Sequence, residues 1–221
     1  MKTAILLIGN VRTWDYCKEN FKHTFSKYNP DIYVVVDSYR YGHHPVIQNR
    51  INDSSDETVD VRYLTDQFCG FNVKFISIRP RISQTYNHVS NKFSGMETVF
   101  SQVEKLKHGV DNLVQEYDLV IKTRCDMLYK NFEIGSLENK KVIIDSGNVY
   151  PNDCVIISNH ENMKKISEFM YEEMFNPLYE DSNQQPPHGL LNNAFKHLKL
   201  DVEKKNIMDC VVRKGNKKEY Y

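Results

Sequence analysis

Residues 118–126 read Asp-Leu-Val-Ile-Lys-Thr-Arg-Cys-Asp, and the change of character within this stretch sets the fold. Leu119, Val120 and Ile121 form a short, β-branched-rich apolar run, the pattern of a buried strand. Polarity rises abruptly from Lys122 to Asp126. In an open α/β sheet, ligands bind just beyond the carboxyl ends of strands. A cation at Arg124 and an anion at Asp126 suit a ligand that carries phosphates and a divalent metal. Asp126 offers a hard oxygen to Mg2+ or Mn2+, and Arg124 offers a planar fork to phosphate or carboxylate. A surface Arg–Asp pair satisfies the same spacing, because strand ends are commonly polar.

Upstream, Ser94-Gly95-Met96-Glu97 has the form of a capping box with Glu97 at N3. Met96, Val99, Phe100, Val103, Leu106, Val110, Leu113 and Tyr117 then make one apolar stripe, a core face rather than a cofactor box. Ala4 to Ile8 is a continuous apolar run, the mark of a strand covered on both sides. After the loop Gly9 to Thr13, helical spacing links Trp14, Cys17, Phe21, Phe25 and Tyr28. Asn29-Pro30-Asp31 ends that helix, and Ile32 to Val36 is a second buried strand closed by Asp37. This β–α–β unit predicts a parallel sheet with a right-handed crossover. Gly9 permits close backbone approach, and Arg12 lies near a helix N-terminus, where anions bind. Asp37 is placed to accept hydrogen bonds from a base or ribose, or to stand solvated at a strand end. No G-x-G-x-x-G or Walker motif occurs, so dinucleotide and P-loop readings lose support.

Arg40 to Val59 is polar and aperiodic, an insertion or loop over the sheet edge. Its His43-His44 pair has no third ligand nearby and reads as exposed. Val61 to Phe68 predicts a short helix and Phe71 to Ile78 a third strand, left through Arg79-Pro80-Arg81. Strands follow at Val142 to Ile144 and Cys154 to Ile157. Ser158 to Glu161 repeats the capping-box pattern, and Met163, Ile166, Phe169, Met170 and Met174 give the next helix its buried face. After the polar loop Asn176 to Pro187, His188-Gly189 opens a helix bearing Leu191, Phe195 and Leu198. Ile207 to Val212 is a final strand, and the basic tail Arg213 to Tyr221 reads as a disordered terminus.

A length of 221 residues suffices for a substantial core, and no clear domain boundary interrupts it. Lys+Arg and Asp+Glu are equal at 29 each, so no overall field favours nucleic acid or an anionic membrane. The five cysteines are scattered and never form Cys-x-x-Cys, the usage of reduced thiols in a reducing compartment. The apolar run at Ala4 to Ile8 is too short for a signal peptide, and nothing later approaches a membrane span. The expectation is a cytoplasmic protein.

Three pieces in this order, Leu6 to Thr13, Tyr117 to Asp126 and Asn152 to Ser158, resemble the GT-A class of nucleotide-sugar glycosyltransferases. More narrowly, they resemble small polysaccharide- and capsid-decorating transferases of bacteria and large DNA viruses. The resemblance implies a single α/β domain of GT-A, Rossmann-like type, with a mainly parallel central sheet flanked by helices. Residues 1 to about 130 would form the nucleotide-sugar half and about 131 to 221 the acceptor half. It implies transfer from a nucleotide sugar, UDP-linked, to a glycan or glycoprotein acceptor in polysaccharide biosynthesis, assisted by Mn2+ or Mg2+. Donor-binding candidates are Gly9, Asn10, Arg12, Asp37, Arg124 and Asp126. The class motif is Asp-x-Asp, and here only Asp126 matches it, so Arg124 would neutralise the leaving diphosphate and partly replace a cation. His188 stands where some members place a further metal ligand, or is structural at a helix start. Asp153 is the candidate catalytic base, or braces its turn. A sugar nucleotidyltransferase carries a fuller Gly-rich first loop than Gly9 to Arg12, while a non-catalytic nucleotide-binding protein of this fold is the other alternative. Two structural expectations follow. Strands at 4–8, 32–36, 72–78 and 119–123 share one sheet whose carboxyl edge gathers Gly9, Asp37 and Asp126. As a strand-end carboxylate, Asp126 carries little core packing.

Overall fold

The computed structural model describes residues 1–11, 13–38, 58–79, 96–135, 137–146, 152–174, 188–213 and 217–219, with backbone alone at 96–100, 152–153, 188, 212–213 and 217–219. The apolar run at the N-terminus becomes strand β1 (Thr3–Gly9), buried along its whole length. Strands β2 (Asp31–Asp37) and β4 (Leu119–Thr123) flank it, both parallel to it, with Leu7 beside Val34 on one side and Thr123 on the other. Strand β3 (Val73–Arg79) adds parallel to β2. The four strands expected together do share one parallel block.

Alternation along these strands sorts their side chains onto two faces. On one, Ile5, Leu7, Val34 and Ile121 pack with Trp14, Phe21 and Phe25 of helix α1 (Trp14–Phe25). Phe68, just after the short helix α2 (Val61–Gln67), stacks on Trp14 at 4.5 Å between ring centroids. On the other face, Leu6, Ile8, Tyr33 and Val120 meet Val103, Leu106 and Val110 of helix α3 (Met96–Asp111). The helix crosses the sheet at Gly109, where even an added methyl would find only ordinary van der Waals contact. A Cβ there would stand 3.4 Å from methyl groups of both Leu6 and Val35. The Ser94-Gly95 part of the expected capping box, and nearly all of the loop at 40–59, lie outside the described residues.

The second half of the chain extends the same sheet. Strand β7 (Asn152–Ser158) runs antiparallel beside β4, β6 (Lys141–Asp145) antiparallel beside β7, and β8 (Asp201–Lys205) parallel to β6. The strand order is β3-β2-β1-β4-β7-β6-β8. Helices α4 (His160–Glu173) and α5 (His188–His197) cover the α3 face. A separate antiparallel sheet joins β5 (Met127–Tyr129), β9 (Met208–Arg213) and β10 (Lys217–Glu219). None of the helices among the described residues is long and apolar enough to cross a membrane.

Two sequence expectations are corrected. Within the tail read as disordered, Lys217–Glu219 pairs antiparallel with β9, Lys217 opposite Arg213, because main-chain hydrogen bonds form there without an apolar pattern in that strand. The N-cap of α4 is Asn159 rather than Ser158: its side chain accepts from the Asn162 amide at 2.8 Å, while the Ser158 hydroxyl donates to the Asn159 carbonyl.

The strand directions decide where a ligand can sit. The carboxyl ends of β1, β2, β3, β4, β6 and β8 and the amino end of β7 all lie along one edge.

Candidate functional site

Gly9 closes β1 on this edge with φ +114°, a conformation that side-chain-bearing residues rarely adopt. A Cβ there would meet nothing within 4 Å, so the need for glycine is one of backbone shape rather than of crowding. Asn10 follows, half-buried. Arg12 lies outside the described residues.

At the end of β2, the Asp37 carboxylate meets the Lys105 ammonium at 2.7 Å, with the two side chains 13% and 1% exposed. Lys105 also donates to the Ser101 carbonyl at 3.2 Å and to the Ser101 hydroxyl. Beside Asp37 in register stands Arg79, whose guanidinium pairs with Glu104. His108 reaches the Ser77 hydroxyl at 3.1 Å, and burial together with the nearby Arg79 charge lowers its pKa. Ser101, Glu104, Lys105 and His108 thus form a polar stripe on α3 that braces the ends of β2 and β3. The sequence reading followed the apolar stripe of that helix and passed over this one. Its signal was there in the i, i+4, i+7 spacing of Ser101, Lys105 and His108.

Lys105→Met keeps the length of the side chain and removes its charge. The Asp37–Lys105 ion pair is then broken at a largely buried position, and stability is expected to fall by roughly 3–5 kcal/mol. Urea unfolding checks this, and an unchanged midpoint would show that solvent already satisfies Asp37.

The end of β4 is fixed by a hydrogen-bond chain. The Thr123 hydroxyl lies 2.8 Å from the Tyr129 hydroxyl, which donates to the Arg124 carbonyl at 3.0 Å. Asn20 of α1 holds Tyr129 through both main-chain groups. On this fixed turn, Arg124 grips Asp126 with two parallel bonds, Nε to Oδ1 and one terminal nitrogen to Oδ2, each 2.8 Å. The side chains are 16% and 1% exposed. Asp126 is therefore buried, and the expectation that it carries little packing is corrected. Around it lie Cys17 and Cys125, both buried. Burial pushes the Cys17 thiol up to about 12 and Cys125 well above its usual value, with the Asp126 charge acting in the same direction. At neutral pH these are thiols, not nucleophilic thiolates.

Farther along the edge, Asp145 ends β6 fully buried and accepts from the Ile207 and Met208 amides at 2.9 and 2.8 Å. It pins the β8–β9 turn and was missed in the sequence, where a strand-end Asp carries no mark of its partners. Asp153 is the second residue of β7, which places its backbone on the candidate edge. His188 opens α5. Beyond that helix the chain reaches Asp201, whose amide bonds the Lys140 carbonyl at the opposite edge. The side chains of Asp153 and His188 lie outside the described residues.

A divalent ion takes about six or more oxygen ligands. Among the described residues no group of three or more His, Cys, Asp or Glu side chains is arranged to hold a metal. Both Asp126 oxygens are engaged by Arg124. Among the described residues, the Arg124–Asp126 pair as it stands does not fit Mn2+ or Mg2+.

No protein-family model matches the sequence, and no curated protein does. Its fold does find a counterpart. The chain shares the fold of a solved glycosyltransferase. That protein is the apo form of GlyE from Streptococcus pneumoniae TIGR4, similar over 92% of this chain with a TM-score of 0.51 and 11% sequence identity. The match takes in 45% of the GlyE chain, so this protein spans less than half of its length. At that identity the likeness concerns the fold, a mixed α/β architecture with a mostly parallel seven-stranded sheet flanked by helices.

Proposed function

We propose that this protein is a single-domain GT-A glycosyltransferase that moves a sugar from a UDP-linked donor to a hydroxyl of a glycan or glycoprotein. The observation that carries this reading is the order of groups along one sheet edge. Asp37 ends β2, Gly9 ends the neighbouring β1 with Asn10 just after it, Arg124 and Asp126 follow the next strand, β4, and Asp153 is the second residue of β7 beyond it. Four strands at their usual spacing span roughly 14 Å. Along that line, a hydrogen-bond acceptor for a base or ribose comes first, then a loop with room for backbone approach. A cation for the diphosphate is next, and last a carboxylate for the acceptor. That is also the order of the parts in a nucleotide sugar and its acceptor.

In this mechanism, residues up to about 130 hold the donor and those after it hold the acceptor. The Asp153 carboxylate takes the acceptor hydroxyl proton as its oxygen bonds to the anomeric carbon. The bond from that carbon to the diphosphate oxygen breaks, and the electron pair leaves with UDP. Arg124, with Arg12 from the first loop, stabilises the charge that develops on the leaving oxygen.

Incubation with UDP-, GDP- and dTDP-sugars, scoring nucleoside diphosphate release with and without oligosaccharide acceptors, tests the reading. UDP release that rises with acceptor is the expected result. Pyrophosphate release from a nucleoside triphosphate and a sugar phosphate would instead make it a nucleotidyltransferase. Nucleotide binding with no release under any condition would make it a non-catalytic binder.

A further inference from the structure

We infer that Arg124 takes the place of the divalent cation, so that donor binding and transfer proceed without Mn2+ or Mg2+. This rests on the glycosyltransferase reading above. A metal-binding carboxylate must turn at least one oxygen toward the ion, yet both Asp126 oxygens point at the guanidinium in the planar two-bond geometry that suits Arg best. The exposures run in the direction the inference needs. Arg124 keeps 16% of its side-chain surface in solvent and Asp126 keeps 1%, so an arriving diphosphate meets the cation before the carboxylate. The backbone of Arg124 is fixed as well, through its carbonyl to the Tyr129 hydroxyl and from there to Thr123. A guanidinium clamped at both its head and its main chain is pre-organised for a phosphate anion, and little side-chain entropy remains to be lost on binding.

Asp126 then becomes a positioning residue. It orients Arg124 and balances its charge when no donor is bound, in place of a metal that would do the same for the diphosphate. The Cys17 and Cys125 side chains beside it add no hard oxygen ligand. They hold the carboxylate in a setting where losing its counter-charge is costly.

The test is UDP binding by calorimetry, on chelator-treated wild-type protein and again during titration with Mn2+ and Mg2+. Affinity unchanged within about threefold across all three conditions is expected. Arg124→Ala should weaken UDP binding by about 10- to 100-fold, with or without metal, and Arg124→Lys should recover part of the loss because the charge returns without the fork. Circular dichroism verifies that both variants are folded, and the wild-type titration stands even if neither is. A tenfold or greater rise in wild-type affinity on adding Mn2+ overturns the inference and leaves the glycosyltransferase reading in place. Binding that is strong in chelator but untouched in folded Arg124→Ala also overturns it. Failure of every nucleoside diphosphate to bind under all conditions removes the underlying reading as well.

Discussion

Asp126→Asn is expected to unfold about 6–20 °C below the wild-type protein. A buried ion pair that loses one partner costs about 3–5 kcal/mol. A chain of this size shifts by about 2–4 °C for each kcal/mol. The asparagine keeps one oxygen for Arg124 but turns an NH2 group toward the other guanidinium N–H, donor against donor. The mismatch falls in a dry setting, since Asp126 is 1% exposed and its neighbours Cys17 and Cys125 are buried. Changing both partners, Arg124→Met with Asp126→Leu, should recover much of the lost stability while leaving nucleotide affinity low. A buried pair is often replaced by apolar groups at little net cost, whereas a binding cation is not. Thermal unfolding of the two variants, set beside UDP affinity, separates these effects. A melting temperature for Asp126→Asn within a degree or two of wild type would return Asp126 to the role of an exposed strand-end carboxylate.

That strand-end role was the natural reading of the sequence, and the reason it failed is physical. The spacing of Arg124 and Asp126 is local, but their burial is not. It depends on α1 bringing Cys17 alongside and on β9 pairing with β5 just after the turn. By contrast, β1, β2 and β4 were legible because strands buried on both faces are written as unbroken apolar runs. Once their parallel order is known, the shared edge follows, and Gly9, Asp37 and Asp126 fall on it. Strand β8 reads Asp-Val-Glu-Lys-Lys and was not foreseen, because it joins the sheet through main-chain pairing with β6 and has little apolar surface to bury. Strand β10 was lost for the same reason. Lys105 and Asp145 show a further limit. A buried charge carries the same letter as a solvated one, and only its partners, Asp37 in one case and two loop amides in the other, reveal it.

Asp153→Asn is expected to slow sugar transfer by about two to four orders of magnitude, the usual weight of a general base, while donor affinity and melting temperature stay near wild type. The motivation is placement. Strand β7 runs opposite to β4, so its amino end, with Asn152 and Asp153, comes to the same edge as Arg124 and Asp126. Asp145 of the neighbouring β6 lies beside Asn152 in register but is committed to the Ile207 and Met208 amides, which makes it a brace rather than a base. An amide at 153 keeps nearly the same size and cannot take a proton, so the loss should fall on kcat and leave donor binding alone. If Asp153 only braces its turn, the pattern reverses: the melting temperature drops and transfer falls modestly with it. The pH profile adds an independent readout. A base that must be ionised gives wild-type kcat/KM an acid limb below its pKa, and Asp153→Asn should flatten that limb. A stable Asp153→Asn protein that transfers sugar at near wild-type rate with the acid limb intact would take Asp153 out of the mechanism.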